Sequence, residues 1–196
     1  MRAAGWVALA ALAVTIASLG YLHVAPTGLS PVHNAVSQYG ITPYRAGYRV
    51  ATIAFGVAGA ALALGLHDAL TSVAFVVVLL VVFAVARGLI SWFPMDAPGS
   101  GPTSTGRTHG LLALLAFGSA TIAALRLSHV LARNSIWHGL EPVSTALGAA
   151  MAVCLLGLGF AGSSPAVRGR FGAIERGFYV SAIAWFAVFS FACATR

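Results

Sequence analysis

Six long hydrophobic stretches, joined by shorter and more polar connections, run along this chain. They cover residues 5–24, 47–66, 71–93, 108–127, 144–162 and 173–194. A helix needs roughly 20 apolar residues to cross a hydrocarbon core about 30 Å thick. None of the stretches alternates between polar and apolar positions as the strands of a membrane β-barrel do. The pattern therefore predicts an all-α, polytopic integral membrane protein, built as a bundle of six transmembrane helices.

The six segments occupy most of the 196 residues and leave no room for a soluble domain. We therefore expect a single transmembrane helical domain over residues 1–196. The first segment follows Arg2 and ends near small residues, as a signal peptide does. Its apolar run is longer than the hydrophobic region of a typical signal peptide, so we interpret it as a retained first helix.

The second segment carries a stripe of small residues at spacings of three and four. Such spacing places side chains on one face of a helix. Between helices in lipid, small residues permit the close backbone approach that supplies dispersion contacts. The stripe therefore predicts that the second helix packs inside the bundle. Its members are Ala51, Ala54, Ala58, Ala61 and Gly65.

An even number of helices places both termini at one end of the bundle, which we call side A. The first, third and fifth connections then lie at the other end, side B. By the positive-inside rule the side richer in arginine is cytoplasmic, and this favours side B. The arginines near helix ends are Arg2, Arg126, Arg133 and Arg196 on side A, and Arg45, Arg49, Arg107, Arg168, Arg170 and Arg176 on side B.

Composition narrows the possible partners. Charged residues make up only 8% of the chain, and all 11 basic residues are arginine. They are scattered along helix ends and form no stripe interleaved with aromatic residues, which excludes nucleic acid as a partner and leaves membrane lipids. A composition rich in alanine and free of lysine is typical of bacteria with GC-rich genomes. We therefore expect a multi-pass protein of a bacterial inner membrane.

Unusual polar residues gather in the first connection, on side B. It reads LSPVHNAVSQYG over residues 29–40. A serine followed by Pro31 is a typical helix start, and we expect a helix from Pro31 to Tyr39. On that helix His33 and Ser37, four residues apart, share one face.

The third and fifth connections add further polar side chains to side B. WFPMD over residues 92–96 precedes a stretch rich in small residues, and THG over residues 108–110 opens the fourth helix. Glu175 and Arg176 lie in the first turn of the sixth helix. Ionisable groups at the edge of a membrane are costly and indicate function by default. We therefore expect the functional site at side B.

The three motifs LSPVHNAVSQYG, WFPMD and THG, in that order, resemble the bacterial six-helix membrane family known as domain of unknown function 998. The resemblance covers the first four helices well and the last two loosely. Members of that family often carry an acidic residue directly after the serine, where this chain has Gln38 and Tyr39. The resemblance implies a six-helix fold and no particular reaction, since the family has no assigned one.

We consider three hypotheses for the candidate catalytic residues His33, Ser37, Asp96 and His109. In the first, Asp96 stabilises the imidazolium of His109, which activates Ser37 or a water to attack an ester or phosphoester. In the second, His33, Asp96 and His109 hold a divalent metal ion with an open position for water. In the third, Asp96 caps the fourth helix or pairs with Arg107, and the histidines hydrogen-bond within the connections.

Arginines at side B are candidates for binding an anionic headgroup. Arg87 lies inside the third segment, about 9 Å of helix from its end, where an arginine costs roughly 2.5–3.5 kcal/mol on insertion scales. We expect it to extend to the interface, to hold an anionic headgroup, or to pair with Asp96 or Glu175. Asp96 is expected to hydrogen-bond directly to His109, Arg107 or Arg87. The candidate substrate-binding residues are Arg45, Arg87, Arg107, Glu175 and Arg176.

Two functions fit these residues. The first is a membrane-embedded, hydrolase-like enzyme acting on a lipid or isoprenoid headgroup at side B. The alternative is a non-enzymatic protein, either a small-molecule permease or a structural or assembly partner, in which the same cluster orders the connections. Transporters have broken helices and polar residues near the midplane, where the second and fourth helices are nearly bare. A divalent metal is the one cofactor considered, since no nucleotide or redox-cofactor motif is present.

Overall fold

The computed structural model describes all 196 residues, none of them in a β-strand. Short 3-10 helices lie at Val36–Ile41, Ile90–Trp92 and His138–Leu140. The all-α prediction is confirmed. The seven α-helices are α1 (Arg2–Val24), α2 (Arg45–Ala69), α3 (Ala74–Leu89), α4 (Ser104–Leu131), α5 (Glu141–Phe160), α6 (Pro165–Arg168) and α7 (Phe171–Thr195).

Six helical segments are long and apolar enough to cross a membrane. Four of them are α1, α2, α4 and α7, and the other two are α3 and α5, each extended by its adjoining 3-10 turn. They match the six predicted segments. Helix α4 begins one turn earlier than predicted because Thr103 caps it, with Oγ1 accepting a hydrogen bond from Gly106 N at 3.0 Å. Helix α6 is a single turn within the fifth connection. The chain is therefore a multi-pass membrane protein.

The first connection differs from its predicted helix. The chain makes a turn at residues 31–34, becomes extended at Ala35 and then forms the 3-10 helix. Helix α7 explains the break. Glu175 Oε2 accepts a hydrogen bond from Val36 N, and Arg176 donates to the carbonyls of Pro31 and Asn34, so backbone groups that a helix would pair internally are bound by α7. The turn packs onto α7 at Gly172, where a Cβ would lie 2.7 Å from Pro31 O.

Both termini lie at the same end of the bundle, as an even number of helices requires. The Met1 amino group is 2.7 Å from Asp68 Oδ2, at the end of α2. Arg2 donates a hydrogen bond to the Arg196 carbonyl, and Arg196 in turn donates to the Ile136 carbonyl in the fourth connection. These contacts define side A, and the other three connections form side B.

Helix α2 lies inside the bundle, as its small residues predict. It packs against α1, α3 and α7. Of an 18-residue hydrophobic stretch in each helix, 67% is buried in α2 and 17% in α5. Ala51 and Ala58 are fully buried, whereas Ala54 is only half-buried. At Gly65 a Cβ would lie 3.1 Å from the Cys193 sulfur on α7, so the stripe permits close helix approach.

The side-A half of α5 packs tightly on α4 and α7. Ser144 Oγ donates a hydrogen bond to Ala124 O at 2.8 Å and accepts one from Trp185 Nε1 at 2.9 Å. One turn later, a Cβ at Gly148 would lie 2.9 Å from a Leu125 methyl group. Small residues and a buried hydrogen-bond chain therefore close this end of the α4–α5 interface.

The side-B half of α5 separates from α4. No residue of α5 after Met151 is buried, and none of residues 110–115 on the facing part of α4 is buried either. Helix α5 stays on α7 along this half, since a Cβ at Gly157 would lie 3.2 Å from Ile174. The separation leaves a cavity between α4 and α5.

Candidate functional site

The cavity between α4 and α5 has a volume of about 430 Å³ and lies in the side-B half of the bundle. Of its 17 lining residues 11 are hydrophobic, two of them tyrosines, so most of its wall suits an apolar molecule. Leu114 and Phe117 of α4 face it from one side, and Leu155 and Leu158 of α5 from the other.

One part of the cavity wall is polar, and its residues come from five parts of the chain. The first connection, α2, α3, α4 and α7 all contribute. The combination of an apolar wall with a few convergent polar groups is typical of ligand sites. The polar lining residues are Ser37, Tyr48, Arg87, His109, Glu175 and Tyr179.

Arg87 is the most unusual member of this set. Its side chain is only 2% exposed, and its guanidinium carbon lies 5.3 Å from the ring centre of Tyr179 and 5.8 Å from that of Phe55. No carboxylate lies within 4.0 Å, since the chain's one ion pair joins Met1 and Asp68. Its Nε has no hydrogen-bond partner. Arg87 therefore neither pairs with an acid nor extends to the interface, and it lines the cavity.

Glu175 brings a carboxylate to the same cavity from the second turn of α7. It is 5% exposed, and its Oε2 accepts a hydrogen bond from Val36 N at 2.7 Å. This bond fixes the start of the 3-10 helix in the first connection. Oε1 accepts no hydrogen bond from the protein, so one carboxylate oxygen remains available to a ligand.

His109 projects from α4 and is 7% exposed. Its Nδ1 is 2.8 Å from the Phe93 carbonyl oxygen. A carbonyl oxygen only accepts, so Nδ1 carries the proton, and in the neutral ring Nε2 keeps its lone pair. No protein group bonds to Nε2, which leaves a basic nitrogen on a residue that lines the cavity.

Asp96 does not join His109. Its carboxylate accepts hydrogen bonds from Thr103 Oγ1 at 2.6 Å and from Thr103 N at 3.2 Å. These two bonds hold the pKa of the Asp96 carboxyl below its ordinary value. The carboxylate also sits against Gly106, where it would overlap any Cβ. The expected hydrogen bond to His109, Arg107 or Arg87 is absent, and Asp96 instead supports the cap of α4.

Ser37 lines the cavity but is not part of a triad. Its Oγ donates to the Met95 sulfur at 3.1 Å rather than to His109. His33 lies outside the cavity on the exposed surface, where its Nδ1 donates to the Gly169 carbonyl. His33, Asp96 and His109 are therefore not brought together as metal ligands. No group of three His, Cys, Asp or Glu side chains in the chain is arranged to hold a metal ion.

Arg176 binds the first connection rather than facing the cavity. Its Nη1 donates to the carbonyls of Pro31 and Asn34, both at 2.8 Å. Its Nε donates to His23 Nε2 at 2.7 Å, and its Nη2 donates to the Tyr39 hydroxyl at 3.2 Å. With every guanidinium nitrogen engaged, Arg176 holds this connection on α1 and α7.

The two remaining candidate arginines also lie away from the cavity. Arg45 lines a separate pocket together with Arg49 and Trp92. Arg107 is exposed on the first turn of α4. Of the five candidate substrate-binding residues, Arg87 and Glu175 are the two that the fold places at the cavity.

Sequence reasoning missed Tyr48 and Tyr179, which complete the polar wall. Both are buried and line the cavity. Tyr48 lies three residues into α2 and Tyr179 eight residues into α7, so no common position along the helices marks them in the sequence.

Comparison with known proteins places the chain in a family. A family model described as "Protein of unknown function (DUF998)" matches residues 4–192. No curated protein matches the chain, and no solved structure does. The match spans all six transmembrane helices, from α1 into the last turn of α7. The chain therefore belongs to the DUF998 family, whose description assigns it no function.

Proposed function

We propose that this protein is a membrane-embedded, hydrolase-like enzyme that acts on the headgroup of a lipid or isoprenoid in the side-B cavity. The observation that carries the proposal is Arg87, a buried cation without an anionic partner at the polar wall of an apolar cavity. Charged residues inside membranes are expensive, and they mark binding sites and pathways. An anionic ligand would supply the negative charge that no side chain of the protein places next to Arg87.

The cavity suits an amphiphile in two ways. Its apolar wall between α4 and α5 accepts a hydrocarbon chain, and Arg87 attracts a phosphate or carboxylate at the other end. The gap between the side-B halves of α4 and α5 gives a lipid a route from the bilayer without leaving the hydrocarbon phase. The polar headgroup then meets His109 and Glu175.

His109 is the group best suited to proton transfer. With Nδ1 held by the Phe93 carbonyl, its Nε2 accepts a proton from a water molecule. The water oxygen then bonds to the ester carbon or phosphorus, and the bond to the leaving oxygen breaks. The leaving oxygen takes the proton back from the imidazolium, while Arg87 stabilises the negative charge that develops. We assign the attack to water because Ser37 Oγ donates to Met95 and not to His109.

Turnover measurements test this proposal. The protein is purified into nanodiscs of native membrane lipids, and lipid products are followed by mass spectrometry. His109→Gln should abolish product formation, because an amide keeps a hydrogen bond to Phe93 but does not exchange the proton. Arg49→Gln is the matched control, since Arg49 lies outside the cavity over Trp92, and it should keep full activity. Equal turnover by His109→Gln and the parent would contradict the proposal.

A non-enzymatic role is the second candidate, and specific contacts favour it. Asp96 supports the α4 cap, His109 binds the Phe93 carbonyl, and Glu175 binds Val36 N. Each bond orders a connection without any chemistry. Under this role His109→Leu, which cannot bond to the Phe93 carbonyl, should lower the free energy of unfolding by about 0.5–1.5 kcal/mol, as for a typical hydrogen bond, and the parent protein should form no product from any lipid offered.

A further inference from the structure

A second cavity, of about 500 Å³, lies at side A, far from the proposed catalytic site. It opens between the connection from α2 to α3 and the end of α4. Its lining is almost entirely polar, and no carboxylate belongs to it. The polar lining residues are Thr71, Ser72, Arg126, His129, Arg133 and Asn134.

The basic residues of this pocket lie around the end of α4. Arg126 and His129, three residues apart, share one face of the last turns of α4, and Arg133 follows in the turn after Leu131. Neither arginine side chain donates a hydrogen bond within the protein or forms an ion pair. Arg168 is different, because its Nε and Nη2 donate to backbone carbonyls. The guanidinium carbon of Arg126 lies 5.8 Å from the ring centre of Phe75, at the start of α3.

The neutral groups around the arginines also offer donors. Asn134 Oδ1 already accepts hydrogen bonds from Ile136 N and Trp137 N, so its amide nitrogen is the group left to bind a ligand. The pocket adjoins the N-terminal end of α3, whose N-cap residue Val73 has no side-chain hydrogen bond to the first-turn N–H groups. These N–H groups add positive potential.

Acidic residues on side A are engaged elsewhere. Asp68 Oδ2 is 2.7 Å from the Met1 amino group, and Glu141 Oε1 accepts a hydrogen bond from Thr145. The other two acids of the chain, Asp96 and Glu175, lie on side B. No acidic side chain therefore neutralises the pocket.

We propose that this pocket binds a phosphate group, carried by the headgroup of an anionic lipid or present as inorganic phosphate. The guanidinium fork matches phosphate oxygens in a bidentate way. The site lies at the opposite end of the bundle from Arg87 and does not depend on the proposed reaction.

Binding to defined probes tests this site. Wild-type protein, Arg126→Gln and Arg133→Gln are placed in phosphatidylcholine nanodiscs, and the rise in Tm is measured against added phosphatidic acid or inorganic phosphate. Arg2→Gln is the control, because Arg2 lies on side A outside the pocket and donates to the Arg196 carbonyl. We expect each pocket variant to bind about fivefold more weakly and the control to bind as the wild type does.

The two probes separate the sources of the phosphate. A response to phosphatidic acid alone assigns the pocket to a lipid headgroup, and a response to inorganic phosphate assigns it to the free ion. The absence of both responses, or binding by Arg126→Gln and Arg133→Gln as tight as that of the wild type, would overturn the proposal. So would an equal weakening in Arg2→Gln, because binding would then follow overall charge rather than the pocket.

Discussion

Helices α4 and α5 pack tightly in one half of their interface and separate in the other half. In the side-A half, Ser144 and Gly148 bring α5 against α4, and Trp185 closes the contact with a buried hydrogen bond. In the side-B half, no residue of either facing stretch is buried, and the cavity opens there. Arg87 and Glu175 lie beside the open half alone. Tight packing at one end thus holds the helices while their separation at the other makes room for a ligand.

The same substitution in the two halves of α5 should have contrasting effects. Gly148→Leu overpacks the closed half, because Leu125 and Ala124 already lie within van der Waals distance, and it should lower the free energy of unfolding by about 1–3 kcal/mol. A Cβ at Gly159 would meet no atom within 4 Å, and Gly159 lines the cavity, so Gly159→Leu should change stability by less than about 0.5 kcal/mol and weaken lipid binding. Denaturant unfolding in mild detergent measures both. Equal losses of stability would contradict the difference in packing.

The buried hydrogen bond of the closed half should be worth a measurable part of its stability. Ser144→Ala leaves Trp185 Nε1 buried without a partner and should cost about 1–3 kcal/mol. Ser181→Ala is the control, because Ser181 Oγ bonds only to a carbonyl of its own helix. The comparison of the two unfolding curves decides the outcome. A loss no larger than that of the control would show that the closed half does not depend on this bond.

Acid should weaken the N-terminal cap of α4, which the Asp96 carboxylate supports on side B. Its folded-state pKa lies below its ordinary value because of the two bonds from Thr103. The stabilisation is therefore fully present above the unfolded pKa, about 3.9, and is lost as the pH falls through the lower, folded pKa. Asp96→Asn and Thr103→Ala should both reduce the loss of Tm on acidification. If the Tm of either variant falls below pH ~4 as steeply as the Tm of the wild type does, the Asp96 carboxylate does not stabilise the cap.

The sequence was sufficient for the fold but not for the site. Helix length and the small residues of α2 are local signals, so the six-helix bundle and the interior position of α2 follow from them. Which polar residues meet depends on how each helix is rotated and on the path of the connections. Side chains of α7 bind the backbone of the first connection and break its predicted helix, and His33 lies on the surface. The Arg176 guanidinium donates hydrogen bonds to backbone carbonyls of the first connection. A side-chain motif does not show which backbone carbonyls will lie next to an arginine.

Asp96 illustrates the same limit within a single motif. Its position before the fourth helix allowed an acid–base role, a metal-ligand role or a capping role. The deciding atoms are the hydroxyl and the N–H of Thr103, seven residues away, and the loop conformation places them. Arg87 was recognisable from the sequence because an arginine in an apolar segment is rare, but the burial that makes it a candidate binding group comes from the fold.

The most direct test of the central claim is whether a lipid bound in the side-B cavity depends on Arg87. Native mass spectrometry of the protein released from nanodiscs measures the retained lipid in the parent, in Arg87→Gln and in the exterior control Arg49→Gln. All three proteins also carry Arg126→Gln and Arg133→Gln, so that the side-A pocket retains little lipid. We expect the parent and the control to retain an anionic lipid and Arg87→Gln to retain it at least about tenfold less, as for a lost buried charge pair. Equal retention by all three proteins, or loss in the control as well, would contradict the claim.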